Sequence, residues 1–282
     1  LEELAYINGV FCSLDQARVS VEDRGFQFAD AIYEGLTTYG GKPFRLAQHL
    51  QRLHNSARAI GLNPPLTDEQ IESIMAEGIR RCGFDEVHIY VQITRGAASR
   101  SHRFPPQVRP TVVMTFKHSI RVPAPQRAEG VKLITKPDNR WGACNVKSVM
   151  LLPNVLAKQE ALDRGVFDTI FLGPGKVVYE ATSSNIFVVR QGQVWTPRRH
   201  RKILPGITCD YIVESLSSLG FEGGERTVRL PDLYQAEEVF LAGTTTEVLG
   251  AVNIDGQPIG NGQVGPTTKL LYERLFANLS AG

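Results

Sequence analysis

Residues 119–126, S-I-R-V-P-A-P-Q, carry two prolines and no hydrophobic period. A stretch of that kind does not propagate a helix or a central strand, so it reads as a break in the chain. The 282 residues also exceed what one ordinary core gathers. Two lobes are therefore expected: an N-terminal α/β domain at 1–118, a linker at 119–126 and a C-terminal domain at 127–282.

Local signals fill in both lobes. Tyr6-Ile7 and Val10-Phe11 flank Asn8-Gly9, and Ile32 to Tyr39 runs into Gly40-Gly41 before Pro43-Phe44. Both read as hairpins, because Asn-Gly and Gly-Gly tolerate the positive φ of a tight turn. Leu46, Leu50, Leu53, Ala57 and Ile60 recur at helical spacing until Gly61, and a second helix fits 68–81 before Gly83. Val87 to Thr94 and Pro110 to Lys117 read as strands around a polar loop, R-G-A-A-S-R-S-H-R-F-P-P. Beyond the linker, strands near 131–136, 168–172, 176–179, 185–190 and 238–242 alternate with helices near 150–164 and 207–219. A hairpin at Asp255-Gly256 and a helix near 266–279 close the chain. The class is α+β or α/β.

Composition excludes several kinds of protein. Formal net charge is +2, too small for a general pull toward nucleic acid or anionic membrane. The local basic run Arg198, Arg199, His200, Arg201, Lys202 reads as a solvated loop. Cys12, Cys82, Cys144 and Cys209 form no C-x-x-C pair, as in a reduced, cytoplasmic protein. No apolar run reaches membrane-span length, and the first residues, L-E-E-L-A-Y-I-N-G, lack the regions of a signal peptide.

The chemistry centres on Lys147 and Glu180. Lys147 lies among Val146, Val149, Met150, Leu151 and Leu152, and Glu180 opens E-A-T-S-S-N. Apolar surroundings disfavour an ammonium and favour the nucleophilic amine. A carboxylate in the same site suits a protonated ring nitrogen, which pyridoxal 5'-phosphate (PLP) presents. Read one at a time, each residue also fits a plainer place: a lysine snorkelling from a strand edge and a glutamate at a turn.

Three segments offer phosphate donors. L-P-G-I-T at 204–208 turns into a helix whose free N–H groups face an anion, and Thr208 adds a hydroxyl. G-T-T-T-E at 243–247 follows an apolar strand, with Thr244 and Thr245 carrying hydroxyls. Arg52 sits one step from the apolar stripe of its helix and can fork onto phosphate oxygens. Ordinary capping, a Thr-rich strand end and an exposed arginine account equally for each alone. Arg100 and His102, spaced i, i+2 in the polar loop, and the phenol of Tyr33 can converge on a carboxylate, or they mark a solvated basic loop.

Taken in order, E-D-R-G-F-Q-F-A-D-A-I-Y-E at 22–34, H-L-Q-R-L at 49–53, T-R-G-A-A-S-R-S-H at 94–102, V-K-S-V-M-L-L-P-N-V-L-A-K-Q-E-A at 146–161, E-A-T-S-S-N at 180–185, I-L-P-G-I-T at 203–208 and G-T-T-T-E at 243–247 resemble the fold-type IV PLP-dependent aminotransferases. That group contains D-amino-acid aminotransferase, branched-chain aminotransferase and aminodeoxychorismate lyase, and the likeness is greatest to the D-amino-acid branch. The resemblance implies two domains with the active site between them. Ping-pong transamination between D-amino acids (the D-alanine and D-glutamate class) and 2-oxo acids follows, in a homodimer. It makes Lys147 the Schiff-base lysine and proton shuttle, and Glu180 the partner of the ring nitrogen. Arg52, Ile207, Thr208 and Thr244 match phosphate contacts, Leu204 packs on the ring, and Ser183 lies near the cofactor. Tyr33, Arg100 and His102 match the trap for the α-carboxylate, the arginine and histidine coming from the partner subunit. Thr245 falls on the substrate side.

Gly35 departs from that branch, where a bulkier aliphatic residue stands, and Y-E-G is closer to the branched-chain pattern. The rival activities on this fold are an (R)-selective amine transaminase, a branched-chain L-amino-acid transaminase and aminodeoxychorismate lyase. A rival of another class is a non-catalytic PLP-binding or nucleic-acid-binding protein. The intact Arg100/His102 pair argues against a pure amine enzyme, and the near-neutral charge argues against nucleic acid.

Overall fold

The computed structural model describes residues 1–277 and Leu279. They form two units, the first of Leu1–Ile120 with Val146–Met150, the second of Arg121–Asn145 with the residues from Leu151 onward. The expected division was continuous in sequence. The observed one lends the first unit a five-residue segment, the one that carries Lys147.

The first unit comprises β1 (Leu4–Ile7), β2 (Val10–Ser13), α1 (Arg24–Phe28), β3 (Ala31–Tyr39), β4 (Lys42–Pro43), α2 (Leu46–Ala59), α3 (Asp68–Cys82), β5 (Val87–Thr94) and β6 (Thr111–His118). Its strands form one antiparallel sheet in the order β2-β1-β6-β5-β3-β4. Both expected hairpin turns are present: Asn8 and Gly9 take φ of 48° and 108°, Gly40 and Gly41 of 55° and 75°. Thr67 caps α3 reciprocally with Gln70, and Gly83 ends it at φ 71°.

Strand alternation sorts this sheet into two faces. Ile32, Leu36, Ile89, Val91, Ile93, Val112, Met114 and Phe116 share the core with Leu50, Leu53 and Ala57 of α2 and with Ile71 and Met75 of α3. Register puts Tyr33 opposite Gln92 and Gly35 opposite Tyr90 on the other face. The Val146–Met150 segment adds to the β3 edge: Ser148 bridges Ile32, Lys147 C=O accepts from Tyr33 N–H at 2.9 Å, and Val149 N–H donates to Ala31 C=O at 3.3 Å.

The second unit comprises α4 (Ala124–Glu129), β7 (Val131–Pro137), α5 (Leu152–Asp163), β8 (Asp168–Gly173), β9 (Val177–Ala181), β10 (Asn185–Arg190), β11 (Gln193–Pro197), α6 (Ile207–Ser215), β12 (Glu222–Arg226), α7 (Leu230–Tyr234), β13 (Glu238–Gly243), β14 (Glu247–Ile254), β15 (Gln257–Pro258) and α8 (Pro266–Leu275). The strands run β12-β11-β10-β13-β14-β7-β8-β9, with β15 on β14. The pairs β11–β12, β14–β7 and β7–β8 are parallel and the rest antiparallel.

Three expectations change. The linker stretch turns helical at Ala124, because Pro123 is the N-cap and Pro125 lies in the first turn, where no N–H is required. The helix expected to 219 stops at Ser215, and a 3-10 turn at Ser217–Leu219 leads to Gly220 at φ 82°. The last helix ends at Leu275, and Asn278 of the expected 266–279 span lies outside the described residues. No helix among the described residues is long and apolar enough to cross a membrane.

Gly78 of α3 shows how closely the first core is packed. A Cβ there would lie 2.2 Å from the Phe116 ring, which is fully buried. Overpacking of a filled core costs ~1–3 kcal/mol, whereas the better helix propensity of alanine returns at most ~1 kcal/mol. Gly78→Ala should therefore lower the thermal unfolding midpoint, measured by circular dichroism; an equal or higher midpoint would contradict the packing described.

Candidate active site

Three candidate residues of the first unit, Tyr33, Lys147 and Arg52, gather around β3. Tyr33 points to the open face of the sheet, and its ring centroid lies 4.3 Å from Lys147 Nζ. The lysine main chain is held on both sides: its N–H donates to Ser56 Oγ at 3.0 Å, and its C=O accepts from Tyr33. The flanking residues expected to desolvate it do so only in part. Val146 is buried, while Met150 and Leu152 are exposed. The lysine is half-buried, and its seat is made by Tyr33 and Ser56 rather than by an apolar run.

Glu34, one residue on, points to the opposite face and stands between Ile32 and Leu36 on the core side. A carboxylate there needs partners, and α2 supplies them. Arg52 forks onto it with Nε to Oε1 and Nη2 to Oε2, both 2.8 Å, and His49 Nδ1 lies 2.7 Å from Oε2. All three side chains are buried. Burial pushes the Glu34 carboxyl up, but Arg52 and then His49 outweigh it and bring it down to about 2. Burial lowers His49, against its Glu34 bond, so the imidazole is neutral and Nδ1 carries the proton it donates. Arg52 thus turns inward as expected, already committed on one edge to Glu34. Glu34 and His49 carry no role of their own in the sequence analysis. The signal available was a charged residue at an apolar strand position and the i, i+3 spacing of His49 and Arg52 on one helix face.

Arg100 and His102 are exposed in the polar loop and meet on a single ring, that of Phe28. The Arg100 guanidinium lies 4.5 Å from the Phe28 centroid, and the His102 ring stands edge-on at 5.6 Å. The loop is anchored from within. Arg24 donates to Ser101 C=O at 2.5 Å and to Asp30 at 2.8 Å, while Arg95 holds Asp30 at 2.8 Å and 3.0 Å.

In the second unit Glu180, on β9, is buried and carries two bonds that fix its plane. Arg140 donates to Oε1, and Leu204 N–H donates to Oε2 at 3.0 Å. Arg140 in turn bonds Asp138 Oδ1 at 2.9 Å and Lys202 C=O at 2.8 Å, and Lys202 Nζ reaches Asp138 Oδ2 at 3.2 Å. Burial works against the Arg140 charge, but Glu180 and Asp138 outweigh it and raise its pKa. The basic run at 198–202 is the solvated loop expected, exposed except for half-buried Lys202, and its side chains are tied down: Arg199 pairs with Asp210 and with Glu225, Arg201 bonds Gly142 C=O, and Lys202 joins the Arg140 cluster.

From Leu204 the chain passes through Gly206, which starts α6 without a side-chain cap. Ile207 and Thr208, both buried, form its first turn. The helix therefore presents backbone N–H groups and the positive end of its dipole at Gly206. Asn185 fastens the approach by donating to Leu204 C=O at 3.1 Å, and its Oδ1 would lie 1.9 Å from a Cβ at position 206. Gly243, at the end of β13, lies against Ser183 C=O and Ser184 Oγ. Thr244 and Thr245 follow in the β13–β14 turn, half-buried and exposed. The second unit thus brings together Glu180 with Leu204, and Ser183 with the Gly243 turn. Arg140 had no signal in the sequence, since it is 40 residues from Glu180.

The chain is similar to known proteins over most of its length. The model of the family described as amino-transferase class IV matches residues 31–254. The D-alanine aminotransferase of Bacillus licheniformis is 36% identical over 262 residues, 93% of this chain and 92% of its own. That of Staphylococcus haemolyticus is 37% identical over 269 residues, 95% of each chain. Among solved structures, a T.th. branched-chain amino acid aminotransferase with pyridoxamine 5'-phosphate has a TM-score of 0.92 at 28% identity, covering 99% of this chain and 94% of that one.

The pairing of Glu34 has a pH signature. Its folded-state value of about 2 lies below the ordinary 4.5, so its stabilisation is complete above pH 4.5 and is lost as pH falls through 4.5 toward 2. A depression of that size corresponds to ~3 kcal/mol. Denaturant melts from pH 7 to pH 3 should show a steeper loss in the wild type than in Glu34→Gln, which is weaker at neutral pH because buried Arg52 has lost that counter-charge. Parallel profiles would remove Glu34 from that role.

Proposed function

The chain belongs to the class IV aminotransferases, and on that premise we propose that it transfers amino groups between D-amino acids and 2-oxo acids. PLP is the cofactor, and the residues present suit it. Supporting observations are the buried Glu180 carboxylate with its plane fixed, the uncapped α6 start at Gly206 and the amine of Lys147 seated on Tyr33. The cofactor supplies an aldehyde that takes up the amino group and a ring that accepts the electron pair of the Cα–H bond.

The remaining work falls to the protein. Lys147 Nζ would hold the cofactor covalently, and as a free amine it would be the base that takes the Cα proton of the amino donor and the acid that gives it back. Glu180 would accept the hydrogen bond of a protonated ring nitrogen. Arg52, Ile207, Thr208 and Thr244 would hold the phosphate, Leu204 would lie against the ring, and Ser183 would border it. Tyr33, Arg100 and His102 bind the substrate carboxylate, with Thr245 on the substrate side. Two half-reactions share these groups, so turnover is ping-pong.

The observation that carries the D-amino-acid reading is the Arg100–His102 pair gathered on Phe28, together with the D-alanine aminotransferases at 36% and 37% identity. A homodimer in which this pair serves the partner's substrate fits its exposure. It also fits the apolar face of α5, where Leu152, Val155, Leu156 and Leu162 are all more than half exposed. Four unpaired cysteines suit a reducing cytoplasm. Gly35 favours a second reading. A Cβ there would make only an ordinary contact with His88, at 3.6 Å, so the glycine keeps the strand slim on the face that it shares with Tyr33. The missing side chain suits a bulkier, branched substrate side chain, as in a branched-chain L-amino-acid transaminase.

Two measurements decide. With 2-oxoglutarate as acceptor, D-alanine should turn over at least a hundred times faster than L-alanine or L-leucine, with chiral analysis returning D-glutamate; L-glutamate as product would establish the second reading. Arg100→Ala should raise KM for amino acids by one to two orders of magnitude with a smaller change in kcat. An equal loss toward amines without a carboxylate would contradict the trap.

A further inference from the structure

Arg140 has no place in the roles above, yet its buried guanidinium is bonded through all three of its nitrogens. It lies on the loop between β7 and α5, 4.4 Å from the Phe171 ring. It spends Nε on Asp138, Nη1 on Glu180, and Nη2 on Lys202 C=O. Lys202 Nζ returns a bond to Arg140 C=O at 2.9 Å. The segment so gripped is the one whose Leu204 N–H holds the second oxygen of Glu180 and whose Gly206 starts α6.

We propose that Arg140 is a positioning residue that acts on the cofactor through Glu180, holding that carboxylate ionised and aimed at the ring nitrogen. The inference rests on the reading of Glu180 as the ring-nitrogen partner. Its physical basis is the pairing of charges inside one cluster. Asp138 and Glu180 are two carboxylates, Arg140 and Lys202 two cations, and the Cys144 thiol, pushed up by burial, is neutral. Lys202 faces Asp138, so removing Arg140 takes from Glu180 the cation bonded to its Oε1. A buried carboxylate that loses its cation takes up a proton more readily. A protonated Glu180 offers the ring nitrogen a neutral hydrogen bond in place of a charge-assisted one. Arg140 also occupies Oε1 while Leu204 N–H occupies Oε2, so the two bonds together set the plane of the carboxylate.

The test is a binding cycle that separates this role from general support of the fold. Full-length wild type, Arg140→Met, Arg140→Lys and Glu180→Gln are freed of cofactor. Each is titrated with PLP and with its carbocyclic analogue, in which CH replaces the ring nitrogen. Binding is followed by the absorbance of the lysine-bound chromophore, and folding by circular dichroism. Arg140→Met should weaken PLP at least tenfold while changing the analogue less than threefold, and Arg140→Lys should restore part of the difference. Equal losses for both ligands, or unchanged or tighter PLP binding, would overturn the proposal. Should Arg140→Met fail to fold, the Arg140→Lys comparison of the two ligands decides on the same criterion. Glu180→Gln separates the two layers of inference. If it preserves the preference for PLP over the analogue, the reading of Glu180 falls. If it abolishes the preference while the Arg140 variants keep it, only the role of Arg140 falls.

Discussion

The buried carboxylate of Glu34 is the constraint on which the first unit turns. A strand that alternates cannot place Tyr33 on the open face without placing Glu34 in the core between Ile32 and Leu36. That charge is tolerable only because α2 presents Arg52 and His49 at i, i+3 on its inner face. The ion pair therefore sets the rotation of α2 about its axis. The same helix offers Ser56, one turn past Arg52, to the main chain of Lys147. One buried pair thus aligns a helix whose next turn seats the lysine, and the lysine C=O in turn pins Tyr33 N–H.

The second unit meets a similar demand with different parts. Glu180 is buried and paired with an arginine, as Glu34 is, but its arginine comes from a loop rather than a helix. A loop has no ladder of its own to stiffen it. The cluster of Asp138, Lys202 and the Lys202 carbonyl does that stiffening for Arg140, which explains how a side chain on irregular backbone is held on both sides. In both units the carboxylate is locked by charge-assisted bonds whose worth depends on exclusion of water.

What could be read from the residue order follows from range. The Asn8-Gly9 and Gly40-Gly41 hairpins and the helix at 46–59 were legible, because turn chemistry and helical spacing are local. α1 and α7 were not, at five residues each, since neither completes two turns of periodicity. β12, E-G-G-E-R, offers no strand former and exists because β11 pairs with it in parallel. Lys147, Glu180 and the α6 start stood out through ordered motifs. Glu34–Arg52 and Arg140–Glu180 span 18 and 40 residues, and no local rule joins charges at that separation.

The same difference in range bears on substrate choice. Gly35 was conspicuous as a residue, but its surroundings were not, because they depend on what the next strand places opposite. Register sets Gly35 against Tyr90, and His88 alone comes within contact distance of the missing Cβ. Burial and the nearby Lys117 lower the pKa of His88, so that imidazole is neutral at physiological pH. Tyr90 spends its hydroxyl on Gln92 at 2.8 Å and, through burial, has its pKa pushed up to about 12. The wall beside Tyr33 is thus uncharged and aromatic in character. A wall of that kind discriminates side chains by size and shape more than by charge. Under the proposed function, the carboxylate end of a substrate would meet Arg100 and His102 and its side-chain end the uncharged wall at Gly35, two places far enough apart in the sequence to change independently of each other.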